Sequence, residues 1–213
     1  MGHLVGNKLN IVGVDECSYG SWVGHVWAAA VMLDETKPIA GLNDSKKLNP
    51  ETREKLALEI KEKAKSFGIG FATAKEIDEI GVLKASHLAM VRALEQIDQT
   101  IDKVLVDGNK VPDWKWSAEA IVQGDATIQE IMAASILAKT SRTEEMRILA
   151  EKHPEYKFDQ HQGYGTAVHA KAIDDFGVLD EHRKTYKPIK AAQEKWLLKN
   201  QSLEIAGKKL PKM

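Results

Sequence analysis

The sequence predicts an α/β protein, a mixed β-sheet flanked by helices. Two runs of β-branched or apolar residues, 10–15 and 23–33, come first, separated by a short segment containing Gly20 and Gly24. Strand-length apolar runs then alternate with longer amphipathic stretches. Strands first, followed by alternation, is the order that a mixed sheet with helices on its faces produces. No internal repeat, low-complexity tract or Gly/Ser/Pro-rich linker interrupts the chain, so a single domain over 1–213 is expected, with about 199–213 as a flexible tail.

Taken in order, the first two runs read as antiparallel strands joined by a turn. Residues 50–66 carry Leu56, Ile60 and Ala64 at i, i+4 and i+8 among charged residues, an amphipathic helix with Asn49 as its cap. Residues 67–74 alternate with glycine and predict a third strand. Residues 75–97 are helical with a break near Gly81. The short apolar runs 103–106 and 120–122 each end in a Gly-Asp or Asp-Gly element, and read as strands. Residues 126–152, without Gly or Pro, predict a long helix, and 167–176 another, stopped by Gly177.

Of the 213 residues, 43% are hydrophobic and 29% charged, with a net charge of −1, which excludes intrinsic disorder. The longest apolar run, 26–33, spans eight residues, far short of the roughly 20 that a membrane-spanning helix needs. The opening MGHLVGNKLNIVGVDE lacks a cationic flank followed by a long apolar core, so no secretory signal is expected. The single cysteine, Cys17, excludes an internal disulfide and a cysteine-built zinc site. A cytoplasmic location follows as the expectation.

Charge is unevenly spread. Residues 1–138 hold 15 Lys and Arg against 20 Asp and Glu, whereas 139–213 hold 15 against 11. A basic end suits a polyanionic partner, although a solvated helix face produces the same count.

Four acids stand where apolar runs end. Asp15 and Glu16 follow Ile11-Val12-Gly13-Val14, Asp107 follows Val104-Leu105-Val106, and Asp125 follows Ile121-Val122 across Gln123-Gly124. Carboxylates gathered beside a core repel one another and lose hydration, costs that divalent cations offset. Oxygen-only ligation suits Mg2+ or Mn2+. Two such ions about 3.5–4 Å apart can activate water and steady a leaving oxygen in phosphodiester cleavage.

At these residues the chain resembles the type 2 ribonucleases H, bacterial ribonuclease HII in particular, from about residue 11 to 189. IVGVDE and VGHVWAAAVML resemble the family's first two strands, and LNDSKKLNPETREKL its Asp-Ser-Lys segment and following helix. VDGNKVP carries the third acid and QGDATIQEIMAASILAKTSR the fourth. HQGYGTAVHAKAIDDFGVLDEHRKTYKPI is similar to the closing Gly-Tyr-Gly-Thr and His-Arg segments. The resemblance implies a ribonuclease H-like fold, a five-stranded mixed sheet with flanking helices and a helical C-terminal extension. It implies two-metal cleavage of RNA in RNA/DNA hybrids and at ribonucleotides embedded in duplex DNA, leaving 3′-hydroxyl and 5′-phosphate ends. Asp15, Glu16, Asp107 and Asp125 would be the catalytic acids and the ligands of two Mg2+ or Mn2+ ions, with Asp15 bridging both.

The same resemblance places Lys46 on a phosphate and Tyr164 on the sugar beside the RNA–DNA junction, with Lys139, Arg142 and Arg183 as candidates for backbone contacts. Ser135 reads as a small residue permitting close helix packing, and Trp114 and Trp116, in the loop after the third acid, as core or lid packing. The chain departs from the family where Gly-Arg-Gly usually follows Asp-Glu: the matching positions here are Ser18, Tyr19 and Gly20. His25 stands for a proline, Gln123 and Gln162 for lysines, and Thr143 for an aspartate. These departures fall on substrate contacts and leave all four acids in place. A related nuclease of altered specificity and a non-catalytic hybrid-binding protein are the alternatives. No membrane association is expected, and no motif points to a protein partner.

Overall fold

The computed structural model describes residues 9–205, with only the backbone course given for 199–205. Five strands, β1 (Ile11–Cys17), β2 (Val26–Met32), β3 (Ser66–Ala72), β4 (Lys103–Asp107) and β5 (Ala118–Ile121), form one sheet in the order β3-β2-β1-β4-β5. β1 runs antiparallel to β2 and parallel to β4, and β4 runs parallel to β5, so the sheet is mixed. The helices are α1 (Pro50–Lys63), α2 (Ala74–Ile80), α3 (Val82–Leu94), α4 (Gly124–Thr127), α5 (Gln129–Lys152), α6 (Phe158–His161), α7 (Ala167–Phe176) and α8 (Lys187–Ile205). The described residues fall into two compact units, the first comprising residues up to 17, 27–71 and 86–140, the second 18–26, 72–85 and 141 onward.

The first unit carries most of the sheet. Along a strand, alternate residues share a face, and the antiparallel register sets Gly13 against Val31 and Asp15 against Ala29. Ala29 and Val31 pack with Leu56, Ala57 and Ile60 of α1 and with Ala133, Ala134 and Leu137 of α5, so both helices cover this face. Asn49 caps α1 as its sequence predicts, its side chain accepting the Thr52 amide at 2.8 Å. The contact between α5 and β1 is backbone to backbone. A Cβ on Gly13 would lie 2.2 Å from the Glu130 carbonyl carbon and 2.4 Å from the Ile131 nitrogen. At the other face, Gly68 and Gly70 of β3 admit the carbonyls of Ala93 and Ala89 of α3 just as closely.

Two boundaries differ from expectation. The helix predicted from residue 126 is interrupted at Ile128, whose extended backbone (φ −114°, ψ 121°) separates α4 from α5. The tail expected over 199–213 begins inside α8, which continues to Ile205; residues 206–213 lie outside those described. Lys199 of this stretch lies in α8, and Lys208, Lys209 and Lys212 lie outside the described residues.

The second unit is built round Val23, Met146, Leu149, Tyr156, Phe158, Ile173 and Ile189. Tyr156 stacks on Phe158, ring centroids 5.2 Å apart, and its hydroxyl donates to the Gly177 carbonyl at 2.8 Å. The Asp78 carboxylate at the end of α2 accepts the Lys184 and Thr185 amides at 2.9 and 2.8 Å.

Gly13→Ala is expected to destabilise the protein by about 1–3 kcal/mol, because backbone on both sides leaves the new methyl nowhere to go. Urea unfolding measures this directly, and a midpoint equal to the parent's would contradict the packing described.

Candidate active site

The register of the sheet gathers the acids of the first unit. Val14 of β1 pairs with Val106 of β4 in a parallel ladder, so the next residues, Asp15 and Asp107, emerge side by side. Asp107 is in turn in register with Ile121 at the end of β5, and the chain returns through α4, which presents Asp125. The Asp125 amide donates to the Asp107 carboxylate at 3.3 Å. One carboxylate oxygen from each of Asp15, Asp107 and Asp125 lies within 4.8 Å of the others, the one such grouping of metal-ligating side chains among the described residues.

Ionisation is disfavoured here. Burial, then the charges of Glu16, Asp107 and Asp125, hold the Asp15 carboxyl well above the usual aspartate range. Burial also raises Asp107. Glu16, expected in the same ligand set, is not among the three clustered acids; burial and the nearby Asp107 charge raise it too. Three hard oxygen donors packed against mutual repulsion fit a divalent cation, because the ion supplies the positive charge that the site lacks.

One cation of the chain partly supplies that charge, and a hydroxyl assists. Lys46, in the loop before α1, places Nζ 3.1 Å from an Asp125 oxygen, and that hydrogen bond raises the lysine's own pKa. The Ser135 hydroxyl of α5 lowers the Asp15 pKa against that burial and meets Ser45 Oγ at 2.8 Å. Ser135 was expected only to permit close packing; hydroxyls leave no trace in hydrophobic periodicity. Lys139, farther along α5, is part-buried, which together with Arg53 and Lys46 lowers its pKa. Trp114 and Trp116, after β4, pack edge to face with centroids 5.7 Å apart.

In the second unit the residues expected at the substrate have distinct surroundings. Arg183 is fully buried. Its guanidinium donates to the carbonyls of Ser18, Tyr19, Gly24 and His25 at 2.8–3.0 Å. The backbone contact expected of Arg183 is therefore revised: its donors are committed to holding the segment 18–25. Arg142 is buried as well, bonds the Gln162 carbonyl, and lies 4.4 Å from the Tyr164 ring centroid. Its role is likewise revised, from phosphate contact to support of Tyr164. Tyr164 and Tyr19 remain exposed, and Gly20 approaches the Tyr164 ring. Ser18, Gln123 and Gln162, all departures from the family pattern, adopt left-handed backbone with φ of 75°, 56° and 52°, a conformation costing a non-glycine residue about 1 kcal/mol or more.

Residues 12–189 match the sequence model of a family described as Ribonuclease HII. The chain belongs to the ribonuclease HII family. It is 49% identical over 184 residues to the ribonuclease HII of Alteromonas mediterranea, covering 86% of this chain and 97% of the relative. It is 52% identical over 183 residues to that of Acinetobacter baylyi, covering 85% and 97%. Among solved structures, the ribonuclease H2 of Pyrococcus horikoshii superposes with a TM-score of 0.73 at 25% identity, covering 87% of this chain and 97% of that one. Bst-RNase HIII in complex with Mn2+ superposes with a TM-score of 0.72 at 19% identity, covering 87% and 70%, a likeness of fold. The ribonuclease H-like fold expected for this family is thus the fold observed.

Within this ribonuclease HII fold, the Tyr164 carbonyl rests on a buried histidine pair. Leu179 N–H donates to His182 Nδ1 at 2.9 Å, so that nitrogen is unprotonated and Nε2 carries the hydrogen. His182 Nε2 therefore donates to His169 Nε2 at 3.0 Å, and His169 Nδ1 donates to the Tyr164 carbonyl at 3.1 Å. This chain requires both rings neutral. Burial, then the neighbouring ring, pushes His182 down to about 3, and burial pushes His169 down to about 4.

The unfolded chain takes up these protons near pH 6.5 while the folded chain refuses them. The stability from each histidine is thus present above pH 6.5 and lost as pH falls towards the folded pKa, at up to about 1.4 kcal/mol per pH unit. Unfolding free energies of the parent and His169→Gln should therefore converge between pH 6.5 and 4.5. Parallel pH profiles would contradict the neutral pair.

Proposed function

We propose that the protein is a metal-dependent endoribonuclease that cleaves RNA in RNA/DNA hybrids and at ribonucleotides embedded in duplex DNA. The observation that carries this is the triad of buried Asp15 and Asp125 with half-buried Asp107, one carboxylate oxygen of each within 4.8 Å of the others, in a chain of the ribonuclease HII family. Mg2+ or Mn2+ held there would activate water and neutralise charge on the leaving oxygen. Asp15, on the central strand, suits a shared ligand, and Glu16 completes the acidic set. Lys46, half-committed to Asp125 and otherwise exposed, is the cation placed to follow a phosphate. Tyr164 offers an exposed aromatic face for a sugar, backed by Arg142. Reading the 2′-hydroxyl by shape and stacking is how proteins separate RNA from DNA. Such work belongs in the cytoplasm.

A shifted specificity is favoured by one feature. In place of Gly-Arg-Gly the chain has Ser18, Tyr19 and Gly20, with Ser18 buried in left-handed backbone. The Tyr19 carbonyl accepts from both Arg183 and Tyr186, so the segment is held while a charge-assisted donor to the junction is lost. A lone ribonucleotide depends on this segment more than a long hybrid, which offers repeated 2′-hydroxyls and phosphates.

Three labelled duplexes in Mg2+, one hybrid, one with a single ribonucleotide and one all-DNA, test both statements. The parent should cut the first two and spare the third, and Asp107→Asn should lose activity by orders of magnitude while remaining folded. Parent-like cleavage by Asp107→Asn would sink the metal assignment. Ser18→Gly with Tyr19→Arg should raise the single-ribonucleotide to hybrid ratio, by about 1–3 kcal/mol of transition-state binding. An unchanged ratio would show that other contacts read the junction.

A further inference from the structure

We propose that His169, aligned by His182, is a positioning residue for Tyr164 and so helps the site select a single embedded ribonucleotide. This rests on the reading of Tyr164 as the aromatic face for a sugar, and gives work to two buried side chains which that reading leaves unused. Tyr164 lies in the short turn between α6 and α7, with its ring 43% exposed. An exposed ring keeps its place only if the backbone beneath it is held. Both backbone groups of Tyr164 are committed. Its N–H donates to the His161 carbonyl at 3.0 Å, and its carbonyl accepts the Thr166 amide at 2.8 Å and His169 Nδ1 at 3.1 Å. The bonds to His161 and Thr166 lie within the turn and move with it. The His169 bond ties the turn to a side chain in the core of the second unit.

His169 is itself immobilised. Its ring is fully buried, stacks on His161 with centroids 4.5 Å apart, meets Phe158 edge to face at 5.5 Å and packs on Trp22 at 5.4 Å. Trp22 also reaches Gly165, where a Cβ would lie 2.1 Å from the indole, so the turn and the imidazole share one wall. His182 sets the tautomer. The hydrogen bond from its Nε2 occupies His169 Nε2 at 3.0 Å and leaves the hydrogen on Nδ1, the nitrogen that meets the Tyr164 carbonyl. In the other tautomer that carbonyl would face an unprotonated nitrogen. His182 is held in turn by the Leu179 N–H at 2.9 Å and by an antiparallel bridge from its backbone to Val23. His169 thus acts on substrate only through where Tyr164 stands. A long hybrid, with many contacts, tolerates a displaced ring better than a lone ribonucleotide does.

Two substitutions in the full chain separate positioning from packing. Asparagine sets its amide nitrogen where Nδ1 stands, so His169→Asn keeps a donor for the Tyr164 carbonyl and orphans the buried His182 Nε2–H. Glutamine reaches the Nε2 position, so His169→Gln keeps the partner of His182 and drops the donor, leaving the carbonyl its Thr166 bond. His169→Asn should therefore melt at the lower temperature, yet His169→Gln should lose more specificity. The readout is kcat/KM in Mg2+ on the single-ribonucleotide duplex relative to the hybrid. That ratio should fall about tenfold in Tyr164→Ala, about three- to fivefold in His169→Gln and less than about twofold in His169→Asn. Adding His169→Gln to Tyr164→Ala should lower it no further, because His169 has nothing to act through once the ring is gone. A ratio that follows the melting temperatures, or a further loss in the double variant, would overturn the positioning role. If His169→Asn does not fold, the double variant decides alone. A lowered ratio in Tyr164→Ala beside a parent-like ratio in His169→Gln would overturn the role of His169 and spare that of Tyr164. A Tyr164→Ala ratio equal to the parent's, or a parent that does not cut the single-ribonucleotide duplex, would overturn both.

Discussion

The close seating of helix α5 on strand β1 at Gly13 is the constraint on which the rest of the first unit depends. Any side chain there would separate two backbones that touch. Because they touch, the helix is held in register with the strand, and Ala133, Ala134 and Leu137 reach the apolar residues of β2 and α1. The parallel ladder with β4 then fixes Asp107 beside Asp15, and the return through α4 brings Asp125. Geometry so determined gathers like charges at a place where burial already disfavours them. The fold accepts that electrostatic cost because apolar burial on the same elements outweighs it, and a bound cation would remove it.

The second unit solves a different problem, that of holding an irregular backbone. Segment 18–25 has few ladder bonds, and the buried Arg183 satisfies four of its carbonyls. Tyr164 is held from two sides, by Arg142 on its ring and by the neutral His182–His169 pair on its carbonyl. Cation and imidazole here serve as internal donors, and the exposed aromatic ring is what they leave for a ligand.

Much of this was legible in the residues. Apolar runs followed by acids at 15, 16, 107 and 125 announced a carboxylate site, because a carboxylate after an apolar run needs a reason, and three of the four are the clustered ones. Helix α1 was readable from Asn49 and the Leu56–Ile60 spacing. What stayed hidden shares a cause: it depends on partners far along the chain. Arg183 and Arg142 looked like phosphate contacts because a basic residue gives no sign that carbonyls from a distant segment will enclose it. Ser45 and Ser135 lie 90 residues apart, and neither is distinctive alone. Glu16 was grouped with the other acids by its place after the same apolar run as Asp15 and by the family resemblance; its pKa is raised with theirs, and the clustered carboxylates are those of the other three. The interruption at Ile128 had no breaker residue to mark it.

Anomalous diffraction from crystals of the protein grown with Mn2+ tests the central claim most directly. The account predicts manganese peaks bounded by the carboxylates of Asp15, Asp107 and Asp125, with α5 still seated at Gly13. Manganese bound elsewhere, or none beside Asp15 at saturating concentration, would contradict it.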